Sequence, residues 1–179
     1  REEWIKDQPS QQTHAVGVHV YGSRSKVTVA ADQLADGAGS IGVRVDGSAN
    51  QLSVNENALI SANGTGGIGM AFTYGRSHTL LLEGKVQALG SGGSALVFDF
   101  GGSILGDENQ VRGSWTAGAA TEYGWLTFHP EELNFPQVLQ GSLIKSAVIA
   151  GTLQGSDAAI RIGPTAHVAQ IRLADGAHI

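Results

Sequence analysis

Cysteine is absent from the 179 residues, and proline occurs only four times. A cytosolic chain usually carries a few buried thiols, so the first absence fits a protein that crosses a bacterial envelope unfolded, where a disulfide formed early would block export. The scarcity of proline excludes a collagen-like or proline-rich linker segment, and 41% hydrophobic residues exclude disorder. Charge is sparse too: 15% of residues are charged, the net charge is -5, and no Lys/Arg run is present. Nothing in that distribution draws a phosphate backbone, so no nucleic-acid partner is expected. No apolar run approaches the ~20 residues that span a bilayer. The opening Arg1-Glu2-Glu3-Trp4 is no signal peptide. If the protein is exported, its signal and any membrane anchor are expected outside this stretch.

What the chain has in abundance is glycine, 26 residues of it, interspersed with short β-branched runs. That mixture predicts many tight turns between many short strands, in a length sufficient for one domain with a substantial core.

Self-similarity organises those runs. Gly17-Val18-His19-Val20-Tyr21-Gly22 is followed by Val27-Thr28-Val29, and Gly42-Val43-Arg44-Val45-Asp46-Gly47 by Leu52-Ser53-Val54. Gly69-Met70-Ala71-Phe72-Thr73-Tyr74-Gly75 is followed by Leu80-Leu81-Leu82. A fourth copy starts at Ala95-Leu96-Val97-Phe98-Asp99-Phe100-Gly101, and Ala159-Ile160-Arg161-Ile162-Gly163 leads on to Val168. The openings at 17, 42, 69 and 95 set a period of roughly 26 residues. Alternation with a period of two puts Val18/Val20, Val43/Val45, Met70/Phe72, Leu96/Phe98 and Ile160/Ile162 on one face. His19, Arg44, Ala71, Val97 and Arg161 fall on the other. Third strands are expected at Ala58–Ala62 and Lys85–Leu89, and corners of positive φ at Gly22, Gly47, Gly75 and Gly101. Three strands and three corners in roughly 26 residues define an all-β, single-stranded parallel β-helix, a solenoid whose inward columns stack from rung to rung.

Residues 15–102 read as rungs of this helix, and residues 142–179 as rungs continuing to a truncated end. Residues 1–14 are an irregular opening segment. Residues 103–141 read as an aromatic-rich excursion between rungs, holding Trp115, Tyr123, Trp125, Phe128 and Phe135. Long loops leaving a rigid scaffold are where binding usually resides. Trp115, Tyr123, Trp125 and Phe128 are therefore the candidate recognition residues, with a structural flap as the competing reading. An uncapped solenoid exposes unpaired strand edges, so end-to-end self-association is expected as well.

Chemistry is harder to find. No Gly-x-Ser-x-Gly occurs, and Gly64-Thr65-Gly66 lacks a nucleophilic serine. The six histidines show no metal-ligand spacing, and His78 and His167 read as solvated turn residues. Neither a catalytic residue, a cofactor nor a metal is therefore assigned. Asp46 and Asp99 hold equivalent positions two rungs apart, about 10 Å at the inter-strand spacing, near the upper limit for an inverting glycosidase pair. The simpler reading makes both solvated residues that end a strand, with Arg44 and Arg161 outward for solubility.

The run Gly67-Ile68-Gly69-Met70-Ala71-Phe72-Thr73-Tyr74-Gly75-Arg76-Ser77-His78 resembles passenger domains of Gram-negative autotransporters of the pertactin-like kind. Arg112-Gly113-Ser114-Trp115 and the run Gly151–Ile160 resemble them too, so that the similarity extends over nearly all of residues 15–179. The resemblance implies a right-handed helix and a passenger secreted to the bacterial cell surface, with an outer-membrane translocator barrel and the rest of the passenger as partners. It implies a virulence-associated adhesin that meets a host-surface or glycan ligand, or the stalk of a subtilisin-like protease. No catalytic residue of that family maps onto this chain, which on this reading is a non-enzymatic, structural and adhesive stalk. The alternative is a carbohydrate-active β-helix, a polysaccharide lyase or hydrolase.

Overall fold

The computed structural model describes residues 14–99, 142–163 and 166–179, and among them every regular element is a β-strand. The first turn of chain supplies β1 (Val16–Val20), β2 (Lys26–Val29) and β3 (Gln33–Leu34). The second supplies β4 (Ile41–Val45), β5 (Gln51–Val54) and β6 (Leu59–Ser61), and the third β7 (Ile68–Phe72), β8 (His78–Leu82) and β9 (Lys85–Ala88). The next supplies β10 (Ser94–Phe98), β11 (Ile144–Ile149) and β12 (Thr152–Gly155), followed by β13 (Ala158–Ile162) and β14 (Ile171–Leu173). Each turn contributes one strand to each of three sheets, ordered β1-β4-β7-β10-β13, β14-β11-β8-β5-β2 and β12-β9-β6-β3. Every pairing between these strands is parallel. Three stacked all-parallel sheets are the arrangement of a parallel β-solenoid.

Register follows the sequence alignment. Val18, Val43, Met70, Leu96 and Ile160 form one column, and Val20, Val45, Phe72, Phe98 and Ile162 the next. On the second sheet Val27, Leu52 and Leu80 align, as do Val29, Val54 and Leu82. All of these side chains except the exposed Ile162 meet Ile60, Val86 and Leu153 of the third sheet in a single core. Inside it the Phe72 and Phe98 rings stack with centroids 5.5 Å apart. A slip of one residue would turn every one of these side chains outward, so burial itself holds the register.

The opening glycines answer to crowding at the same core. A Cβ on Gly42 would lie 2.5 Å from Ile60 Cγ2 and 2.6 Å from the Gly69 carbonyl oxygen. Gly69 is closed in the same way by Val86 and the Ala95 carbonyl. At the first corner Gly47 and Gly75 have φ of 76° and 101°, as expected, whereas Gly22 does not enter the left-handed region. Arg24, Ala49 and Ser77 do enter it, stacked at φ of 57°, 55° and 59°.

Two expectations about strands need correction. Val168 does not open the second strand of the last turn. It bridges Ile144, and Ile171 takes the column of Leu80 and Ala147. One residue of the shift comes from the bulge between Ile144 and Ser146 in the pairing of β11 with β8, which the last turn follows in register, and two come from a longer corner after Gly163. Nor is the second face of the first sheet a solvated one, for β4, β7 and β10 are buried at every position. Ala71 and Val97 join Ile41 and Ile68 there in a smaller apolar cluster, with Val16 packed against it.

Candidate functional site

Three polar side chains from three neighbouring turns gather around one carboxylate at the end of β4. Asp46 follows β4 directly, and its side chain is 0% exposed. Arg44, two residues earlier on the same strand, places Nε 2.9 Å from Asp46 Oδ2 with its own side chain 5% exposed. His19, the registered neighbour of Arg44 on β1, brings Nε2 within 2.6 Å of the same oxygen. From the turn on the other side, the Thr73 hydroxyl donates to Asp46 Oδ1 and accepts from Arg44 Nε at 3.1 Å. A single carboxylate thus ties three successive turns together, at sequence separations of 27 residues in each direction.

Asp46 and Arg44 were expected as solvated residues, and both are buried. Strand spacing explains this: stacked turns bring His19 and Thr73 against them, and the polar groups satisfy one another instead of water. With both oxygens engaged, Asp46 is a clasp between turns and does not face solvent as a general base. Asp99 is buried as well, its carboxylate lying against Gly163 where a Cβ would collide with it. Arg161, in line with Arg44, leaves its Nε buried without a hydrogen-bond partner. The residue two after it is Gly163, where Arg44 has Asp46. No outward-facing pair of carboxylates at Asp46 and Asp99 exists.

A second cluster escaped the sequence reading. Asn50 is fully buried between the corner and β5. Its Nδ2 donates to the carbonyls of Gly22 and Asp46, each at 2.7 Å, and its Oδ1 accepts from Ser25 N at 2.9 Å. Its backbone N donates to His78 Nδ1 at 3.2 Å, and His78 Nε2 lies 2.8 Å from the Tyr74 carbonyl. These contacts select the neutral His78 tautomer with the proton on Nε2. His78 was expected as a solvated turn histidine and is instead fully buried, with its ring 5.7 Å from that of Phe72. The available signal was a polar residue in each turn, Ser25, Asn50 and His78, at matching places before the second strand.

Burial lowers the His78 pKa below its ordinary 6.5, against opposing effects from the Tyr74 and Gly47 backbone and from Asp46. A depressed histidine contributes stability that is complete above the unfolded value and is lost as pH falls through it. The chain is therefore expected to unfold at lower urea concentration at pH 5 than at pH 7.5. His78→Asn should flatten that dependence in paired denaturation curves. An unchanged slope in the variant would remove His78 as its source. The Tyr74 phenol moves the other way, raised chiefly by burial, with Tyr21 and Asp46 adding to the effect.

The recognition candidates Trp115, Tyr123, Trp125 and Phe128 lie outside the described residues. Among the described residues no group of three or more His, Cys, Asp or Glu side chains is placed to hold a metal ion. Ser142 Oγ and His167 Nδ1 pair at 2.8 Å in an exposed position, with no acid joined to them among the contacts described. The architecture is that of a parallel β-solenoid whose buried polar groups mostly serve the stack. No family model, curated protein or solved structure matches this chain.

Proposed function

We propose that the chain is a structural and adhesive stalk, a right-handed β-helix belonging to a secreted autotransporter passenger of a Gram-negative cell surface. The observation that carries this reading is the use to which the buried polar groups are put. Asp46, Arg44, Thr73, Asn50 and His78 each make at least one hydrogen bond that joins one turn to the next. A rod so cross-braced suits a spacer that holds other parts of a polypeptide away from a membrane. Stacking of one turn upon another also releases free energy in a direction, which can help draw a passenger outward during secretion. The absence of cysteine agrees with passage through an oxidising compartment in an unfolded state. Its partners on this reading are the rest of the passenger and an outer-membrane barrel. Recognition of a host-surface or glycan ligand is assigned to Trp115, Tyr123, Trp125 and Phe128, and the chain itself performs no catalysis.

The test is to express the whole polypeptide that contains this chain in a Gram-negative host and treat intact cells with protease. Removal of the chain from intact cells, detected by an antibody raised against it, is the expected result. Full protection until the outer membrane is permeabilised would overturn the proposal.

A further inference from the structure

The corner that follows β3, β6 and β9 carries a ladder of side chains gripping the backbone of the next turn. Asp36 Oδ1 accepts from Asn63 N at 3.0 Å, and Asn63 Oδ1 accepts from Leu89 N at 3.0 Å. Asp36, Asn63 and Leu89 stand at equivalent places, each two residues beyond the registered positions Leu34, Ser61 and Gln87. A glycine follows each of them, Gly37, Gly64 and Gly90. Stacking dictates those glycines: a Cβ on Gly64 would collide with the Gly37 carbonyl, and one on Gly90 with the carbonyls of Asn63 and Gly64. Asn63-Gly64 is the one asparagine–glycine pair in the sequence, and the stack leaves no room for a larger residue after Asn63.

This arrangement prepares one reaction. Gly64 has no side chain to shield its own nitrogen, and neither Gly64 N nor Asn63 Nδ2 takes a hydrogen bond among the described residues. Both residues are partly exposed, so water reaches them. Oδ1, by contrast, is held by the Leu89 N–H, a donor aimed at the atom on which charge grows when the amide carbon turns tetrahedral. The other described asparagines lack these features. Asn50 is fully buried, with Nδ2 on two carbonyls and Oδ1 on Ser25 N. Asn55 and Asn57 are more exposed than Asn63, but Glu56 and Ala58 follow them.

We infer that Asn63 is a site of spontaneous covalent modification, an intramolecular deamidation through the Gly64 nitrogen with water as its only co-reactant. Gly64 N gives up its proton to solvent and bonds to Asn63 Cγ. The Cγ–Nδ2 bond breaks, and the departing nitrogen takes up a proton to leave as ammonia. Water then adds across the bond between Cγ and Gly64 N in the five-membered imide, which restores the peptide and leaves a carboxylate at residue 63. The fold accepts that product, because Asp36 already makes the same bond to the next turn through a carboxylate. Opening at the other ring carbonyl gives the isoaspartyl chain, one main-chain atom longer, which the contacts of Gly64 with Gly37 and Gly90 disfavour while the turns are stacked. The modified chain gains one negative charge beyond its net -5 and keeps the ladder.

The folded 179-residue chain, held at mildly alkaline pH and sampled over days, should accumulate an acidic form on ion exchange. Mass spectrometry of its peptides should place the amide-to-acid mass gain on residue 63, mainly as aspartate, with Asn50, Asn55 and Asn57 unchanged. Asn63→Gln should abolish the acidic form, and Asn63→Asp should elute with it from the start with an unchanged far-ultraviolet spectrum. A residue 63 that stays an amide in the folded chain and changes only in urea would overturn the inference. Isoaspartate as the main product of the folded chain, or an acidic form undiminished in Asn63→Gln, counts against it equally.

Discussion

Replacing Asp46 with alanine is expected to cost about 3–5 kcal/mol of folding stability, because it removes the carboxylate that lies 2.9 Å from the buried Arg44 guanidinium. The Thr73 hydroxyl and His19 each lose a contact to the same carboxylate. The loss is read as a lower urea midpoint with the slope preserved. A second substitution makes the argument sharper. Arg44→Met together with Asp46→Ala removes both charges, and an apolar side chain can fill the space. The double variant should therefore be more stable than Asp46→Ala alone, although the second change deletes a further residue of the same cluster. A double variant weaker than the single one would mean that Arg44 is solvated and the clasp is not a buried ion pair. The natural pair is better understood as fixing which turn sits against which than as adding much net stability, since buried ion pairs recover little more than their desolvation cost.

Gly75→Ala should be nearly as damaging, and for a reason that separates two roles of glycine. Gly75 has φ of 101°, and a Cβ there would overlap the Gly47 carbonyl oxygen of the turn below and lie 2.9 Å from His78 Nε2. Gly66 also has positive φ, 66°, but a Cβ there meets nothing within 4 Å. Gly66→Ala thus incurs only the left-handed backbone penalty, about 1–2 kcal/mol. Gly75→Ala adds the cost of forcing two stacked corners apart, on the order of 1–3 kcal/mol more. Thermal unfolding of the two variants side by side should show Gly75→Ala melting well below Gly66→Ala. Equal melting temperatures would show that the corners are not stacked as closely as described.

The stacking register was legible in the sequence because it depends on a pattern of period two repeated at nearly constant spacing. Val18/Val20, Val43/Val45, Met70/Phe72, Leu96/Phe98 and Ile160/Ile162 align in space as they align on the page. β3 was not legible: Gln33-Leu34 is two residues long with no alternation, and only its pairing with Ile60 and Ser61 makes it a strand. The last turn misled for a related reason. Counting five residues from Gly163 leads to Val168, but the corner there is two residues longer than the one from Gly75 to His78, so Val168 falls in the His78 column, and the one-residue bulge at Ile144/Ser146 carries the Leu80 column on to Ile171. The charged cluster was half legible. Equivalent positions for Arg44 and Arg161, and for Asp46, Thr73 and Asp99, were readable from the repeat. Burial was not, because it depends on what lies across the second face of the first sheet, and a rung pattern describes only the face turned to the core. Asn50 and His78 were missed because a polar residue at a corner looks solvated until the corners of neighbouring turns close over it.

The account rests on parallel turns stacked in a fixed register, and the lack of cysteine in the chain allows that to be tested with a pair of introduced thiols. Thr28 and Ser53 are registered partners on β2 and β5 whose hydroxyls meet at 3.0 Å. Parallel neighbours at this spacing, about 4.8 Å, are within the reach of a disulfide, whereas positions two residues out of register, roughly 8 Å apart, are not. Thr28→Cys with Ser53→Cys should therefore form an intramolecular disulfide on mild oxidation, while Thr28→Cys with Gln51→Cys should keep both thiols free. Crosslinking of the second pair in preference to the first would contradict the register, and with it the solenoid on which the rest is built.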